Sequence, residues 1–243
     1  CGELSEIPDP TPDPEDPEFP IEVEDNKDYT YLFEDQWPLY GDYDMNDVIV
    51  EYNRAVSFDK KNQVTKIVDT FTPVHDGAVF ANAFAYQVDK GQFGKMTFSA
   101  TTEGIHTESA TSSIIVCPNV KQAIQKVYTI TREFTGGSFN KKDLKSYNPY
   151  IIVKYAEGQK GRTEVHLPKH EATSLADLSL AGTQKDAYYI DKEGAYPFAI
   201  DIPILNFISV TEKKSIDTEY PNFKAWADSK GEKYTDWYNN HVN

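Results

Sequence analysis

Carboxylates are dense near the start of the sequence, in the segment YLFEDQWPLYGDYDMNDVIVEY at residues 31–52. Five acids fall within fourteen residues, no lysine or arginine lies among them, and an asparagine adds an amide oxygen. The set consists of Glu34, Asp35, Asp42, Asp44, Asn46 and Asp47. Because like charges repel and burial penalises each charge further, such a cluster favours a bound cation that offsets the repulsion.

The types of donor atom favour calcium. Ca²⁺ takes about six to eight oxygen ligands from carboxylates, amides, backbone carbonyls and water. Zinc or copper would be expected with histidine or cysteine ligands, and the nearest such residue is His75. We therefore predict a structural calcium site at the six residues. The alternative is a solvated acidic turn in which the aspartates accept hydrogen bonds from nearby backbone amides.

The spacing matches an EF-hand calcium loop only in part. Asp42, Asp44 and Asn46 match its first ligand positions, but Asp47 stands where that loop needs glycine. The β-branched residues 48–50 then predict a strand rather than a helix. The expected site is therefore an acidic loop that leads into a strand.

The rest of the chain has the pattern of a β protein. Runs rich in Val, Ile, Thr, Tyr and Phe recur between glycine, asparagine and aspartate turn signals. Eight predicted strands lie within residues 47–58, 63–74, 78–88, 95–102, 112–117, 126–134, 150–155 and 162–167. One helix is predicted at 221–231, because Pro221 suits a first turn and Gly231 suits the position after a helix. The pattern favours an all-β fold, a β-sandwich of jelly-roll-like type with a few short helices.

The first 28 residues differ in composition from the rest. They hold eleven acids and one base, and six prolines fall within residues 1–20. Proline lacks a backbone donor and the acids repel one another, so we expect a disordered, extended tether at 1–28 before a β domain at 29–243. Cys1 is then expected to be the lipid-acylated residue of a bacterial lipoprotein; the alternative is half of a disulfide. The other cysteine, Cys117, lies in an apolar run and is predicted to be buried.

The overall charge excludes some classes of protein. The formal net charge is −15, with 39 acidic against 24 basic residues, so binding to nucleic acid is not expected. No apolar run approaches the roughly 18 residues of a membrane span. Hydrolase and phosphate-loop motifs are absent from the sequence. We therefore expect a protein that is not an enzyme, with a hydrolase as an alternative because paired carboxylates are common in so acidic a chain.

Several other residues are candidates for binding or for packing. Aromatic side chains that could stack on a glycan or peptide are Trp37, Trp226, Trp237 and Tyr238. The alternative, which we favour for the C-terminal three, is that they pack a terminal helix onto the sandwich. Asp201 lies among apolar residues and is predicted to be a buried structural acid, with an extra calcium ligand or a general acid as the alternatives. Glu164 and His166 should share one face of a strand, which we expect to be exposed or to form a cross-strand pair.

Blocks along the whole body of the chain resemble the LruC domain of bacterial lipoproteins and secreted surface proteins. The blocks are FED…WP…GDYDMNDVIVEY (33–52), NAFAYQV (82–88), NPYIIV (148–153), GRTEVHLPKHEATSLAD (161–177), YPFAIDIPILNF (196–207) and YPNFKAWADSKGEKYTDWY (220–238). The resemblance implies a β-rich surface lipoprotein and offers no catalytic residues. It also implies an accessory role beside SusC/SusD-like outer-membrane importers.

The sequence thus leads to one hypothesis for the function. We expect an outer-membrane, cell-surface lipoprotein that is anchored through Cys1, is stabilised by calcium and captures a glycan or peptide beside a SusC/SusD-like transporter. A periplasmic orientation stays open. The alternatives are a purely structural or assembly lipoprotein that contacts other envelope proteins, and a hydrolase.

Overall fold

The computed structural model describes residues 22–134, 137–179, 189–190 and 196–242. Cys1 and most of the predicted tether therefore lie outside the described residues. The first strand begins at Glu22, inside the segment that the sequence assigned to the tether. Within the described ranges, no helix has both the length and the apolar character that crossing a membrane requires.

Two antiparallel sheets make up the fold. In the part of the chain that is described, the first sheet has six strands and the second has five. From edge to edge, the first sheet contains β11 (Ala199–Ile202), β1 (Glu22–Phe33), β2 (Val48–Phe58), β3 (Val64–His75), β8 (Tyr128–Glu133) and β5 (Thr97–Thr101). The second contains β10 (Glu164–His166), β9 (Asn148–Ile152), β4 (Ala83–Gln87), β7 (Ser113–Cys117) and β6 (His106–Glu108). Every neighbouring pair runs antiparallel.

Short helices connect or follow the strands. Among the elements that the structure describes in full, the α-helices are α1 (Lys90–Phe93), α2 (Ile216–Glu219) and α3 (Phe223–Asp228). Single 3₁₀ turns occur at Ser109–Thr111, Val120–Gln122, Lys141–Asp143, Tyr155–Glu157 and Trp237–Asn239. Their shortness means that packing against the sheets, rather than helix propensity, stabilises them.

Successive side chains lie on opposite faces of each strand, and those on the facing surfaces of the two sheets form the core. In β8 every second side chain is buried, as the period of two in a half-buried strand requires. The facing surfaces meet through aromatic rings: the Phe71 centroid lies 5.2 Å from that of Phe84 and 4.8 Å from that of Tyr86. Cys117 is buried and free at the end of β7, as predicted. The predicted β-sandwich is confirmed.

A buried ion pair lies within this core. Asp69 on β3 and Arg132 on β8 are both buried, and Arg132 Nη2 donates to Asp69 Oδ2 at 2.8 Å. The hydroxyls of Tyr86 and Tyr147 also donate to the Asp69 carboxylate, at 2.8 and 3.0 Å. Removing one member would leave the other charged and unpaired in the core, which is costly. The pair therefore fixes how β3, β8 and Tyr147 sit together.

A second apolar cluster covers the outer face of the first sheet. Leu32 points away from the core that its neighbours Tyr31 and Phe33 enter, and it contacts the cluster formed with α2, α3 and the last 3₁₀ turn. Trp237 is only 1% exposed and packs edge-on against Phe223, with the two centroids 4.9 Å apart. The aromatic C-terminal segment therefore packs a helical layer onto the sandwich.

The eight predicted strands are confirmed, with boundaries that shift by a few residues. The predicted C-terminal helix is also present, but it is shorter, at Phe223–Asp228. The strands β1, β6 and β11 were not predicted. The first half of β1 reads EVEDNKD, which lacks the apolar alternation that marks a strand, and pairing with β2 holds it in place.

Asp69→Asn should destabilise the protein by about 3–5 kcal/mol, because it leaves the Arg132 guanidinium buried without its counter-charge. Urea unfolding followed by circular dichroism measures the loss. The matched control is Asp228→Asn, since Asp228 forms an ion pair with Lys224 on the exposed surface of α3. That change should cost about 0.5 kcal/mol or less. Equal effects of the two variants would contradict the structural role of the buried pair.

Candidate metal centre

Three of the predicted ligands converge at one end of the first sheet. One carboxylate oxygen from each of Glu34, Asp42 and Asp44 lies within 4.8 Å of the others. Glu34 comes directly after β1, and the two aspartates lie in the loop before β2. Glu34 and Asp44 are 1% and 0% exposed, and Asp42 lies nearer the solvent. Two buried carboxylates and a third beside them form the site.

The local sequence explains how the loop presents its acids. Gly41, Tyr43 and Met45 all adopt left-handed backbone conformations, with φ of 63°, 52° and 53°. Tyr43 and Met45 are buried in the outer apolar cluster, and the Tyr43 hydroxyl donates to the Pro197 carbonyl at 2.6 Å. Because Tyr43 and Met45 are anchored in this way, the acids that alternate with them, Asp42 and Asp44, can converge on one point. Burial of the apolar side chains therefore positions the acids.

Backbone amides satisfy only part of the acidic group. Glu34 Oε1 accepts a hydrogen bond from the Met45 amide at 2.5 Å, and Asp44 Oδ2 accepts one from the Lys213 amide at 3.2 Å. Glu34 Oε2 and Asn46 Oδ1 are buried, and neither has a hydrogen-bond partner among the described residues. Buried acceptors without a donor are rare in folded proteins. Oxygen atoms in this state fit a hard cation.

Burial and mutual repulsion both act on the acids of the site. Burial raises the pKa of Glu34 well above its ordinary value, and the charges of Asp47 and Asp44 raise it further. Burial also raises the pKa of Asp44, although the Lys213 amide partly opposes it. The metal-free site is therefore electrostatically unfavourable, which a divalent cation would relieve.

Asp35 and Asp47 form a separate pair beside this group. The Asp35 amide donates to Asp47 Oδ2 at 2.8 Å, and Asn82 Nδ2 donates to Asp35 Oδ2 at 2.8 Å. Burial, followed by the charge of Asp35, raises the pKa of Asp47 to about 8. Asn46 directly precedes Asp47 in the chain, and its Nδ2 donates to the Val210 carbonyl at 2.9 Å. The six predicted ligands thus divide into a converging trio, a neighbouring carboxylate pair and one amide.

The Glu212 carboxylate lies near Asn46 at the edge of this group, and sequence reasoning missed it. A Cβ atom at Gly77 would lie 2.6 Å from Asn46 Oδ1 and 2.9 Å from Glu212 Oε2, so these two oxygens crowd the same glycine. Burial raises the pKa of Glu212, and the charges of Asp44 and Asp42 raise it further. Glu212 is far from the acidic loop in sequence and no local spacing marks it, so only the fold brings its carboxylate to the site.

The predicted aromatic ligand-binding residues are mostly occupied in packing. Trp37 is 5% exposed, with its ring centroid 4.7 Å from that of Tyr189, and Trp237 is buried in the outer cluster. Neither indole therefore offers a face to a ligand, which corrects the binding alternative for these two residues. Trp226 and Tyr238 are partly buried against the same cluster, as expected for packing of the C-terminal segment.

Two expectations about polar residues in strands were wrong. Glu164 and His166 do share a face, but both are buried, and His166 Nε2 lies 2.7 Å from Glu164 Oε1. Arg162 and Thr173 also bond to the Glu164 carboxylate, so a polar network makes this burial possible. Asp201, in contrast, is exposed on β11, because its flanking apolar residues point to the opposite face of the strand.

Comparisons with known proteins show the family and the fold. The family model described as "Domain of unknown function (DUF4842)" matches residues 62–238. A crystal structure of a protein described as a "Putative lipoprotein from Bacteroides ovatus" superimposes with a TM-score of 0.63 at 17% identity, covering 89% of this chain and 74% of that one. No curated protein matches the sequence. The structural likeness indicates a shared fold, and the acidic loop at residues 34–47 precedes the segment that the family model matches.

The metal-free protein should lose stability as the pH rises from about 5 to 9. The folded pKa of Asp47, about 8, lies above the roughly 3.9 of an unfolded aspartate. The contribution of the Asp47 proton to the free energy of unfolding is therefore fully present below about pH 4, and it is lost as the pH rises through 8. Thermal melts in EDTA across this range measure the slope. Asp47→Asn, which cannot ionise, should flatten the slope, and an unchanged slope in this variant would contradict the assignment.

Proposed function

The chain belongs to the family described as "Domain of unknown function (DUF4842)", and from this premise we propose that it is a calcium-stabilised, lipid-anchored binding domain of the bacterial outer membrane. The observation that carries the proposal is the buried acidic group with its unpartnered oxygen, Glu34 Oε2. A cation at this position would offset the repulsion among the carboxylates and would provide the missing partner.

Calcium suits the donor set better than a transition metal does. The trio of carboxylates, the Asn46 amide oxygen and the Glu212 carboxylate are all hard oxygen donors. Calcium accepts such donors in flexible geometries and completes its shell with water, whereas zinc and copper favour nitrogen and sulfur. The proposed ligands are Glu34, Asp42, Asp44, Asn46 and Glu212. Asp35 and Asp47 would support the loop from beside the ion.

The position of the site explains how a metal would stabilise the domain. Glu34 ends β1, Asp42 and Asp44 precede β2, and the Lys213 amide that bonds to Asp44 leads into α2. A bound ion would therefore join the sandwich to the helical layer that covers its outer face. Because an unfolded chain does not hold these ligands together, the binding free energy would be folding free energy. The metal would have a structural role.

The sequence and the structural neighbour both support the proposal of a membrane anchor. The crystal structure that shares this fold belongs to a protein described as a lipoprotein, and blocks of this chain resemble the LruC domain of surface lipoproteins. Cys1, followed by a segment rich in proline and acids, would be the acylated residue and its spacer. The proposed location is the outer surface of the outer membrane. The proposed role is non-enzymatic capture of a ligand beside a SusC/SusD-like importer.

Calcium should raise the melting temperature of the protein by about 5–10 °C once its concentration reaches a hundred times the dissociation constant. Magnesium at equal concentration should give little shift, because it demands a tighter octahedral shell. Glu34→Gln should abolish the calcium shift. It should also melt higher than the unmodified protein in EDTA, since a neutral amide avoids the cost of burying or protonating a carboxylate at this position.

The control for this experiment is Glu232→Gln, which neutralises an exposed glutamate after α3. It should leave the calcium shift unchanged. A calcium shift that survives in Glu34→Gln, or no shift in the unmodified protein, would refute the proposed metal site.

Cys1→Ser should move the protein from the membrane fraction to the soluble fraction when it is expressed in a bacterium behind a lipoprotein signal peptide. Mass spectrometry of the N-terminal peptide should find acyl chains on Cys1 of the unmodified protein. An unmodified thiol at Cys1, with the protein recovered in the soluble fraction, would contradict the anchor. The Glu232→Gln variant, whose N-terminus is intact, should stay in the membrane fraction.

A further inference from the structure

Lysines are concentrated at the end of the sandwich where β1 begins. The β2–β3 turn, the adjoining ends of β3 and β8, and the segments 89–95 and 137–145 hold eight lysines and four acids, although the whole chain has a net charge of −15. The lysines are Lys60, Lys61, Lys66, Lys90, Lys95, Lys141, Lys142 and Lys145, and the acids are Asp59, Asp89, Glu133 and Asp143. This end is therefore basic in an otherwise acidic protein.

Hydrogen bonds hold these segments against one another. The Lys141 amide donates to the Asn62 carbonyl at 2.7 Å, which joins the segment 137–145 to the β2–β3 turn. The Gln92 side-chain amide donates to the Asp143 carbonyl at 2.9 Å, which joins α1 to the same segment. The lysines therefore form one surface, the lysine surface, which is defined by Lys61, Lys66, Lys95 and Lys142.

These four lysines are exposed, and none of them forms an ion pair with another described residue. Two of the acids at this end are occupied by the backbone. Asp59 Oδ1 accepts hydrogen bonds from the amides of Lys61 and Gln63 at 2.9 and 2.8 Å, and Asp89 Oδ2 accepts one from the Gln92 amide at 3.2 Å. A surface with an excess of one charge attracts a segment of the opposite charge.

The acidic run of the chain enters the fold at this surface. Glu22 begins β1 and pairs with Phe58, where β2 ends before the turn. Residues 1–21 lie outside the described residues, and their sequence holds seven acids and no base: Glu3, Glu6, Asp9, Asp13, Glu15, Asp16 and Glu18. Glu18 is four residues from Glu22, so at most about 13 Å of chain separates it from the start of β1.

The candidate metal centre lies at the other end of the same strand. β1 has 12 residues, so Glu22 and Phe33 are about 36 Å apart at about 3.3 Å per residue. The carboxylates that begin at Glu34 would repel the acidic run, whereas the lysines beside Glu22 attract it. Repulsion from one end and attraction to the other therefore favour the same position for the acids.

We propose that the acidic segment 3–18 docks on the lysine surface of its own molecule. Single exposed ion pairs are weak. However, the covalent link to β1 holds seven acids near the lysines at an effective concentration of about millimolar, so several weak pairs act together. A docked segment would hold the domain closer to Cys1 than the extended spacer that the sequence predicts. The inference goes beyond the proposed function and depends on neither calcium nor acylation.

The test places a nitroxide on the acidic segment of the full chain, at Thr11→Cys in a Cys1→Ser background, and measures the broadening of backbone amide signals by NMR in EDTA. Cys117 is only 1% exposed, so the label should react at residue 11. At 0.01 M salt the amides of Lys61 and Lys142 should be broadened. At 1 M salt the Debye length falls from about 30 Å to about 3 Å, so their intensity should recover at least about twofold.

The dependence on charge separates docking from the mere proximity that the chain imposes. Lys61→Glu combined with Lys142→Glu should restore the amide intensities of neighbouring residues at 0.01 M salt, because it replaces attraction with repulsion. The matched control is Lys160→Glu, which makes the same change at an exposed lysine in the loop after β9, at the metal end of the sandwich. It should leave the broadening unchanged.

Broadening that changes with neither salt nor the two lysine substitutions would overturn the contact. Binding to phosphatidylglycerol vesicles that the double variant loses, without salt-dependent broadening in the unmodified lysine surface, would also overturn it and would assign the surface to an anionic lipid.

Failure of this inference is distinguishable from failure of the proposed function. A calcium-dependent rise in melting temperature together with salt-independent broadening would leave the metal site intact and would remove only the docked segment. Salt-dependent broadening without a calcium shift would keep the docked segment and would remove the metal site.

Discussion

Holding several carboxylates together away from water is the constraint on which this structure depends. Glu34, Asp42 and Asp44 converge where burial raises the cost of every charge, and one oxygen of Glu34 lacks a partner in the described structure. The fold tolerates this arrangement because Tyr43 and Met45, which alternate with the acids, are buried in an apolar cluster. Apolar burial thus supplies the free energy that holds an unfavourable electrostatic group in place, and a cation would remove the opposing repulsion.

The first sheet packs against other parts of the molecule on both of its faces. The inner face of β1 carries Tyr31 and Phe33 into the core, and its outer face carries Leu32 to the helical layer. The same strand ends at Glu34 and contributes Tyr31 to a cavity between the sheets. The proposed metal centre therefore shares a strand with the cavity between the sheets. An ion that fixed the end of β1 would therefore hold in place the strand that contacts both the core and the helical layer.

The interior of this protein contains two kinds of buried charged group: those paired with an opposite charge and those without one. In the Asp69–Arg132 pair and in the network around Glu164, each charge lies beside an opposite charge, although Arg132 Nε has no hydrogen-bond partner among the described residues. The acidic group near Glu34 has no opposite charge of this kind, and Glu34 Oε2 and Asn46 Oδ1 are buried without a hydrogen-bond partner among the described residues. Paired groups specify the fold, whereas unpaired ones mark places where a partner from outside would complete the structure. The location of the proposed metal centre follows from that difference.

The sequence by itself determined what depends on neighbours in the chain. Alternation and turn residues predicted eight strands and the β-sandwich, and the density of acids at 34–47 predicted an acidic centre, because these signals are local. The tertiary structure alone decided which acids converge, brought Glu212 to them across the chain, buried Glu164 with His166 and exposed Asp201. It also assembled the cavity lined by Tyr31, Tyr52 and Tyr147 from four strands and two loops. Such contacts depend on which strands pair and which faces meet, and no local spacing in the sequence encodes that choice.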